Sequence, residues 1–463
     1  MPPTLLVANR GEIACRVIRA AKKLSLRTVA VYSEADANLP HVALADEAFL
    51  LGPARAADSY LRGDKLIAAA QQSGATLVHP GYGFLSENQA FARACEAAGL
   101  TFVGPTADVI HLMGDKDSAR QAAARAGVPV LPGTGKLDPA DAGAIATAGE
   151  QTGYPLLVKA AAGGGGIGMR AVSTPSELVA AVQATSGMAQ KAFGDGSVYL
   201  ERYVQRARHV EIQLFGFGDG TAVHLFERDC SLQRRHQKVV EEARAPAISD
   251  KVRGQMAQAA VGLASACSYQ GAGTVEFLYD IDSAAFFFLE MNTRIQVEHP
   301  VTEMITGIDL VGAQLRLAMG ERLQEEMAQP RIAAQGHAVE VRVYAENPAK
   351  NFMPSPGLLS EFKLPEGEGI RVDTGYRKGN KVTPFYDPMV MKVIAHGRDR
   401  EQAIERLLHA LADLHIEGIT HNVPYLQAVL RHPAFLAGEL HTGFLGAAHS
   451  DLTLSRPGRE FVP

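Results

Sequence analysis

A run of hydrogen-bonding side chains offers more chemistry than any other part of this 463-residue chain. If the backbone there is extended, alternate side chains point to one face. That face would collect two carboxylates, two amides and one guanidinium, which belong to Glu290, Asn292, Arg294, Gln296 and Glu298. Together these groups suit metal coordination, anion binding and proton abstraction at a single site. The plainer alternative is a solvated edge strand.

A second strand-like run weakens that alternative. It covers residues 271–280 and is followed, after a short polar connection, by the apolar run 286–289, which predicts an antiparallel hairpin. Glu276 would then face Glu290 across the pair. Two adjacent carboxylates repel each other unless a cation lies between them, and hard oxygen ligands favour Mg²⁺. Because Mg²⁺ in proteins commonly also binds substrate phosphates, the hairpin predicts nucleotide chemistry.

Four consecutive glycines, residues 163–166, follow a predicted strand that ends near Lys159. Such a run lets the backbone approach a ligand closely and presents amide N–H groups to phosphate. It does not match the P-loop pattern, because no Gly-Lys-Ser/Thr follows and the next element, from Met169, reads as a strand. We therefore predict a glycine lid over a nucleotide, with a flexible turn as the alternative.

A basic cluster lies between the glycine run and the hairpin. It consists of Arg234, Arg235, His236 and Lys238. Beside two metal-binding carboxylates, these side chains are suited to neutralising phosphate or bicarbonate. A solvated charged face is the alternative. A zinc site formed by His209, His224 and His236 is disfavoured, because their spacing matches no standard ligand pattern.

Composition and charge exclude several classes of protein. The net charge of −5 argues against nucleic acid as an electrostatic partner, and no apolar run reaches the roughly 18 residues that would suggest a membrane span. The N-terminus does not resemble a signal peptide, and the four scattered cysteines suggest neither disulfides nor a zinc site. We expect a cytoplasmic protein with no nucleic-acid or membrane partner.

The elements that must position these residues fall into about three domains, given a typical domain size of about 150 residues. Strand and helix patterns alternate over the first hundred residues, which predicts a doubly wound α/β unit with a parallel sheet. The first turn between strand and helix lacks a G-x-G-x-x-G fingerprint. From about residue 336 the pattern is α+β. There Val339, Val341 and Val343 should point inward, while Arg342 is either a surface charge or an anion-stabilising group.

Several motifs together resemble biotin carboxylases of the ATP-grasp superfamily, from Leu5 to about Leu445. They are residues 8–13, 79–88, 163–169, 227–231, 290–300 and 386–389. The resemblance implies an N-terminal biotin carboxylase α/β domain (1–113) and an ATP-grasp domain (114–335) with a mobile glycine lid at about 132–203. It further implies a C-terminal α+β domain of the same family (336–446), followed by a tail (447–463).

The resemblance also implies an activity, that of a ligase forming a carbon–nitrogen bond. Biotin on a carrier domain or protein would be carboxylated at N1′ by bicarbonate and ATP. The reaction would pass through carboxyphosphate and give carboxybiotin, ADP and phosphate. The implied partners are a biotinyl carrier and a carboxyltransferase, and the family favours a homodimer. The final acceptor, whether an acyl-CoA, pyruvate, urea or a related amide, stays open.

By motif position, the resemblance assigns roles to individual residues. ATP would contact Lys116, Lys159, Gly165, Gly166, Met169, Glu201, Arg202, Tyr203, Val204, His209, Gln233 and His236. Glu276 and Glu290 would hold Mg²⁺ or Mn²⁺, with Asn292 close by. Bicarbonate would lie among Lys238, Arg294, Gln296 and Val297. Glu298 would act as general base, Arg342 would stabilise the biotin enolate, and Tyr82 would line the biotin side.

Two departures from the family pattern are informative. Ile167 occupies a position in the glycine loop where acyl-CoA-type members commonly carry Arg or Lys, and it resembles the urea-carboxylase-type branch instead. The sequence has no Ala-Met-Lys-Met acceptor, and Lys392 in an apolar strand is a poor substitute, so we expect a carboxylase component or an excised domain. An ATP-grasp ligase acting on another carboxylate or amine, and a non-enzymatic nucleotide-binding protein, are the alternatives.

Overall fold

The computed structural model describes residues 3–160, 168–235 and 237–454. Several residues named above therefore lie outside the described part of the chain: the glycine run 163–166, Ile167, His236 and residues 455–463 of the predicted tail. Within the described ranges, no helix combines the length and the hydropathy that crossing a bilayer requires.

The first domain is the predicted doubly wound unit. Its strands are β1 (Thr4–Val7), β2 (Arg27–Ser33), β3 (Glu47–Gly52), β4 (Leu77–His79) and β5 (Thr101–Phe102), and its helices are α1 (Gly11–Lys23), α2 (Pro40–Leu44), α3 (Gly63–Ser73), α4 (Gln89–Ala97) and α5 (Ala107–Gly114). The strands pair in parallel in the order β3-β2-β1-β4-β5. β1 is buried throughout because helices cover both faces of the sheet, as its continuous apolar sequence predicts.

The central domain contains two sheets. Its elements are α6 (Lys116–Arg125), α7 (Ala142–Thr152), β6 (Leu156–Ala160), β7 (Met169–Val172), α8 (Pro175–Phe193), β8 (Val198–Arg202), β9 (Ala207–Phe217), β10 (Ala222–Arg234), β11 (Gln237–Ala243), α9 (Asp250–Ala266), β12 (Gln270–Asp280), β13 (Phe286–Asn292), α10 (His299–Thr306) and α11 (Leu310–Ala318). The smaller sheet, β7-β6-β8, packs against α7 and α8 around its own core of Ile145, Leu178 and Val198. This separate core makes the segment a distinct unit above the larger sheet.

The third domain is α+β, as predicted. Its elements are β14 (His337–Tyr344), β15 (Glu346–Asn347), β16 (Met353–Pro354), β17 (Gly357–Leu358), β18 (Glu361–Lys363), β19 (Ile370–Thr374), β20 (Lys381–Val382), β21 (Met389–Gly397), α12 (Arg400–Asp413), β22 (His415–Glu417), α13 (Val423–Arg431), α14 (Pro433–Leu436), α15 (Phe444–Ala447) and α16 (His449–Leu454). Val339, Val341 and Val343 point into a core with α12 and α13, which confirms the alternation. The opposite face of β14 is also buried, so Arg342 is not a surface charge.

One antiparallel sheet joins the second and third domains. Its order is β13-β12-β9-β10-β11-β14-β21-β19, so the main-chain hydrogen bonds continue from β11 to β14. The first domain packs on the third at Gly375, where a Cβ atom would lie 2.3 Å from the carbonyl carbon of Gly11. Only glycine permits this approach. The sheet and this contact bring side chains from all three domains to one cleft.

The predicted hairpin is confirmed, whereas the predicted length of its second strand is wrong. β12 and β13 pair in antiparallel fashion with Glu276 opposite Glu290. However, β13 ends at Asn292, and residues 293–298 are irregular before α10 begins at His299. Glu298 has φ −83° and ψ 8°, which is not extended, and Pro300 lies in the first turn of α10, where proline is favoured. Arg294, Gln296 and Glu298 therefore do not share a strand face.

Candidate functional site

A cavity of about 770 Å³ collects most of the residues predicted from the sequence. Despite the irregular backbone after Asn292, most of the residues up to Glu298 line it. The predicted residues in its wall are Lys116, Lys159, Met169, His209, Gln233, Lys238, Glu276, Glu290, Asn292, Arg294, Gln296, Val297, Glu298 and Arg342. They come from the small sheet, the large sheet, α6 and the segment after β13. The cavity thus lies between the two sheets of the central domain and reaches the third domain.

Some predicted nucleotide residues lie apart from the cavity wall. Glu201 contacts it indirectly, through a 2.6 Å ion pair with Lys159 Nζ. Arg202, Tyr203 and Val204 lie at and beyond the end of β8 and are not among the described residues of the wall. Arg202, Tyr203 and Val204 thus belong to the part of the chain around the small sheet.

Glu276 is the most heavily contacted carboxylate in the cavity. It accepts hydrogen bonds of 2.9 Å from both Asn292 and Gln296, and His209 Nε2 lies 2.8 Å from its second oxygen. Burial alone would raise the pKa of Glu276, but Lys238 and His209 hold it well below its usual value. Conversely, burial alone would lower the pKa of His209, and Glu276 raises it to about 9. The site therefore supplies its own cations to Glu276, from Lys238 and His209.

Glu290 faces Glu276 from the neighbouring strand and is exposed to the cavity. Its position in the cleft and the Glu276 charge raise the pKa of Glu290. Two facing carboxylates, one of them open to the cavity, fit the oxygen ligands of a hard divalent cation, which would relieve their repulsion. Asn292 lies two residues farther along the same strand and donates to Glu276. The residues present are thus suited to Mg²⁺.

Lys238 lies at the centre of a cluster of three carboxylates. Its Nζ is 2.7 Å from Glu211, 3.0 Å from Glu276 and 2.6 Å from Glu298. Burial would lower the pKa of this lysine, but the three carboxylates raise it well above its usual value. Lys238 is therefore a fixed positive charge between Glu298 and the carboxylate pair, Glu276 and Glu290, that is suited to a metal ion.

Glu298 lies between two cations at the N-terminus of α10. Besides Lys238, Arg342 Nη2 lies 3.0 Å from its other oxygen. Burial would raise the pKa of Glu298, but Lys238 and Arg342 lower it, so its side chain is ionised at neutral pH. Arg342 also bonds Glu241, whose pKa burial raises to about 7 despite that contact. Glu298 is thus an ionised acceptor held in place by Lys238 and Arg342.

Arg294 connects the site to the first domain. Its Nε donates to Glu87 over 2.8 Å, and its Nη2 donates to Asn292 over 2.9 Å. Glu87 also accepts from the backbone N–H of Thr293, so it fixes the first residues after β13. The irregular segment is therefore held by contacts from outside its own domain.

A second cavity of about 420 Å³ adjoins the first. The two share five wall residues, which are Arg294, Val297, Arg342, Tyr344 and Asp387. The remaining wall of the second cavity is rich in aromatic rings, from Tyr82, Phe84, Tyr376, Phe385 and Tyr386. Tyr82 donates its hydroxyl to the Glu12 carboxylate. A flat, partly polar molecule could therefore approach Arg342 from this side.

The sequence-based prediction missed several charged residues that support the site. They are Glu12, Glu87, Glu211, Arg228, Glu241 and Lys392. Glu211 alternates with His209 and Gln213 along β9, a pattern that could have indicated it. Arg228 is fully buried and bonds Glu211, Gln213, Thr274, Gln296 and Thr302. It lies in the family motif of residues 227–231, to which no role was assigned.

The arrangement supports two chemical steps in adjoining spaces. The larger cavity combines a metal-type carboxylate pair, fixed cations for anionic oxygens and an ionised carboxylate that can accept a proton. The smaller cavity meets it at Arg342, whose guanidinium can stabilise negative charge on a molecule entering from the aromatic side. Such a site suits the activation of a small anion by a nucleotide phosphate, followed by transfer of the activated group to a second substrate.

Comparison with known families gives three matches that follow each other along the chain. The N-terminal domain of biotin carboxylase matches residues 1–110, and the ATP-binding domain of the carbamoyl-phosphate synthase L chain matches residues 115–326. The C-terminal domain of biotin carboxylase matches residues 340–447.

Similar proteins and structures match over almost the whole chain. A biotin carboxylase of Halalkalibacterium halodurans is 52% identical over 441 residues, which cover 95% of this chain and 96% of that protein. A biotin carboxylase of Pseudomonas aeruginosa is 49% identical, with 95% and 97% covered. The biotin carboxylase domain dimer of Hydrogenobacter thermophilus 2-oxoglutarate carboxylase, solved with MgADP, ADP and bicarbonate, superposes with a TM-score of 0.89. That domain is 42% identical, and 98% of this chain and 100% of that chain are covered.

Proposed function

The chain belongs to the biotin carboxylase family, and we propose from this premise how its own residues divide the work of that ligase. Its activity is the carboxylation of biotin in a biotin-dependent carboxylase. We propose that the reaction passes through carboxyphosphate, formed in the larger cavity, and that biotin accepts the carboxyl group at the boundary with the smaller one. The observation that carries this proposal is Glu298, an ionised carboxylate in the wall of the larger cavity, held between Lys238 and Arg342, of which Arg342 belongs to both cavity walls.

The nucleotide and its metal are assigned to the outer part of the larger cavity. Glu276 and Glu290 would hold Mg²⁺ with Asn292 close by, and Mn²⁺ would suit the same oxygen donors. When bound, the metal neutralises phosphate charge and polarises the γ-phosphate. Residues of this chain assigned to ATP are Lys116, Lys159, Gly165, Gly166, Met169, Glu201, Arg202, Tyr203, Val204, His209, Gln233 and His236. The separate core of the small sheet supports its role as the lid, at about residues 132–203.

Bicarbonate is assigned to the space beside Lys238. Lys238, Arg294, Gln296 and the Val297 backbone would surround it, because these groups line the cavity between the metal carboxylates and Glu298. Glu298 would take the proton of bicarbonate as its oxygen attacks the γ-phosphate. Such general-base assistance is typically worth about 10²–10⁴ in rate.

Biotin is assigned to the smaller cavity. Its ureido oxygen would point towards Arg342, since this residue belongs to both cavity walls. Carboxyphosphate would break down to CO₂ and phosphate, phosphate would take the N1′ proton, and N1′ would then attack CO₂. The negative charge on the ureido oxygen develops only in this step, so Arg342 acts mainly on the later transition state. Tyr82 would line the path of the ring system.

The proposal also covers the partners and the cellular location of the protein. A biotinyl carrier domain or protein would deliver biotin, and a carboxyltransferase would use the carboxybiotin. A homodimer is supported by the dimeric biotin carboxylase domain of Hydrogenobacter thermophilus. We assign the protein to the cytoplasm, and we place the domain boundaries at residues 113, 335 and 446. The final acceptor is left to the carboxyltransferase partner.

The experiment is a pair of assays on one preparation. ADP release is measured with and without bicarbonate and free biotin, and transfer of ¹⁴C from bicarbonate to biotin is measured in parallel. We expect ADP release to depend on bicarbonate and to increase with biotin, and we expect labelled carboxybiotin to form only with ATP and Mg²⁺. ADP release that does not depend on bicarbonate, or ADP release without formation of labelled carboxybiotin, would contradict the proposal.

A further inference from the structure

A lysine outside both cavity walls has no exposed side-chain surface. Lys392 lies in the middle of β21, and its side chain is 0% exposed. A buried ammonium is costly unless hydrogen bonds and opposite charges compensate it. The carbonyl oxygen of Val297 accepts from Lys392 Nζ over 2.7 Å, and a Glu12 carboxylate oxygen lies 3.2 Å from the same nitrogen. Asp373 is the third partner, at 3.8 Å.

The contact with Val297 links Lys392 to the part of the larger cavity that is assigned to bicarbonate. Val297 immediately precedes Glu298 in the irregular segment, whose backbone pairs with no strand in the described part of the chain. A peptide unit is planar, so holding the Val297 carbonyl also fixes the orientation of the Glu298 N–H. Glu298 begins α10, and its side chain must lie between Lys238 and Arg342. Lys392 is therefore the side chain that anchors the peptide link to the proposed base.

The contact with Glu12 reaches the biotin side. Glu12 lies in the first turn of α1, and its Oε1 both pairs with Lys392 and accepts the hydroxyl of Tyr82. Tyr82 forms part of the aromatic wall of the smaller cavity. An ammonium that fixes Glu12 thus also fixes the hydroxyl end of the Tyr82 ring. Both chains of contacts start from the same nitrogen atom, Lys392 Nζ.

We propose that Lys392 is a positioning residue that joins the two substrate sides, through the Val297 carbonyl to Glu298 and through Glu12 to Tyr82. It touches neither substrate and acts only through these groups. The inference rests on the proposed assignment of bicarbonate and biotin to the two cavities. Its consequence is that one buried side chain sets the relative placement of the base and the biotin wall.

The charge balance around Lys392 supports a permanently charged ammonium. Burial alone would lower the pKa of Lys392, but Glu12, Glu340 and Asp373 raise it above its usual value. Glu340 is fully buried on the adjacent strand, and its carboxylate oxygens have no hydrogen-bond partner among the described residues. Asp373 is shared with Arg371, which bonds it at 2.7 Å. Of the three carboxylates, Glu12 has the oxygen that lies nearest to Lys392 Nζ, at 3.2 Å.

The alternative is a purely structural role, in which Lys392 only neutralises Glu12. The two roles can be separated because replacing both members of the pair removes both charges. Lys392→Met alone leaves Glu12 buried without its cation and should lower the Tm. The double variant Lys392→Met/Glu12→Gln should regain most of that Tm, because glutamine can still accept from Tyr82 without a charge. It still cannot supply a donor to the Val297 carbonyl.

The test compares wild type, Glu12→Gln, Lys392→Met/Glu12→Gln and Lys392→Gln/Glu12→Gln. Bicarbonate-dependent ADP release without biotin gives kcat and KM for bicarbonate, and carboxybiotin formation gives the KM for biotin. For the Lys392→Met double variant, we expect a rise of about tenfold in KM for bicarbonate, the size expected for losing one charged hydrogen bond. The new amide in the Lys392→Gln double variant can donate to Val297, so its KM should be intermediate. Glu12→Gln should change the biotin KM more than the bicarbonate KM.

The possible outcomes distinguish failure of the positioning role of Lys392 from failure of the proposed function. A double variant with restored Tm and wild-type kinetics for bicarbonate would overturn the positioning role and leave the proposed function standing. The positioning role is likewise overturned if the Met and Gln variants at position 392 lose activity equally in every assay. If wild type shows no bicarbonate-dependent ADP release, the proposed function fails and the inference fails with it. A restored Tm with a raised KM for bicarbonate, partly rescued by Gln, supports the positioning role.

Discussion

Replacing Glu298 with glutamine tests the proposed base while keeping the size of the side chain. In the structure the Glu298 carboxylate accepts from Lys238 over 2.6 Å and from Arg342 over 3.0 Å. A glutamine keeps one oxygen for one of these donors, but its NH₂ group must face the other. The substitution therefore removes the proton acceptor and one favourable contact, without opening a cavity.

The magnitude follows from the neighbours that remain. Lys238 still contacts Glu211 and Glu276, and Arg342 still contacts Glu241, so neither cation is left unpaired. The large penalty for an isolated buried charge should therefore not apply. Loss of general-base assistance alone should reduce turnover by about 10²–10⁴, or about 3–5 kcal/mol in barrier height.

The assay is bicarbonate-dependent ADP release, with ATP binding measured by calorimetry on the same samples. The matched control is Glu242→Gln, which changes a buried carboxylate on the same strand as Glu241. Glu242 is bonded by His337 at 2.8 Å and by Arg400 at 2.6 Å, away from both cavities. We expect the control to keep its turnover, and Glu298→Gln to bind ATP yet lose ADP release. Turnover of Glu298→Gln within about tenfold of wild type would remove Glu298 from the mechanism, since it falls short of the loss expected for a general base.

Three further predictions address the metal, the enolate and the pH dependence of stability. Glu276→Gln or Glu290→Gln should raise the Mg²⁺ concentration needed for half-maximal activity more than it raises the biotin concentration needed for half-maximal activity. A change in the biotin dependence alone would contradict the metal site. Arg342→Ser should lose carboxybiotin formation more than biotin-independent ATP cleavage, with partial rescue by lysine, whereas equal loss of both would refute the enolate role. Burial alone would raise the pKa of Glu242, but His337 and Arg400 lower it from 4.5 to about 2, so its stabilisation is present above pH 4.5 and is lost as pH falls towards 2. In urea unfolding, Glu242→Gln should lose at most about 3 kcal/mol at pH 7 and decline less steeply than wild type below about pH 4.5, and identical acid profiles would contradict the assignment.

The parts of the site that could be predicted from the sequence are those whose structure is set by residues close together in the chain. The hairpin follows from two alternating runs and a short polar connection, so the pairing of Glu276 with Glu290 could be predicted from the sequence alone. The parallel sheet of the first domain likewise follows from its βα alternation. The family motifs added proposed roles for residues that local patterns leave open, such as Arg342, and those roles stay predictions.

The parts that could not be predicted depend on contacts between distant segments. The path of residues 293–298 is set by Glu87, 206 residues before Thr293 in the chain, and by Lys392, 95 residues after Val297. Main-chain pairing of β11 with β14 places Arg342 beside Glu241, and nothing near either residue indicates that contact. Sequence periodicity cannot predict a continuous sheet across two predicted domains, because the residue pattern of a strand is the same whichever neighbour it pairs with.

The charges of the site have a consequence for the order of chemical events. Lys238 and Arg342 lower the pKa of Glu298 and so make it a weak base. Bound bicarbonate would compete with Glu298 for the Lys238 ammonium and would add a negative charge beside it. The ion pairs around Glu298 would then weaken, and its pKa would rise towards the value that proton abstraction needs. On this assignment Glu298 becomes an effective base only when bicarbonate is in the cavity, which would limit ATP cleavage without bicarbonate.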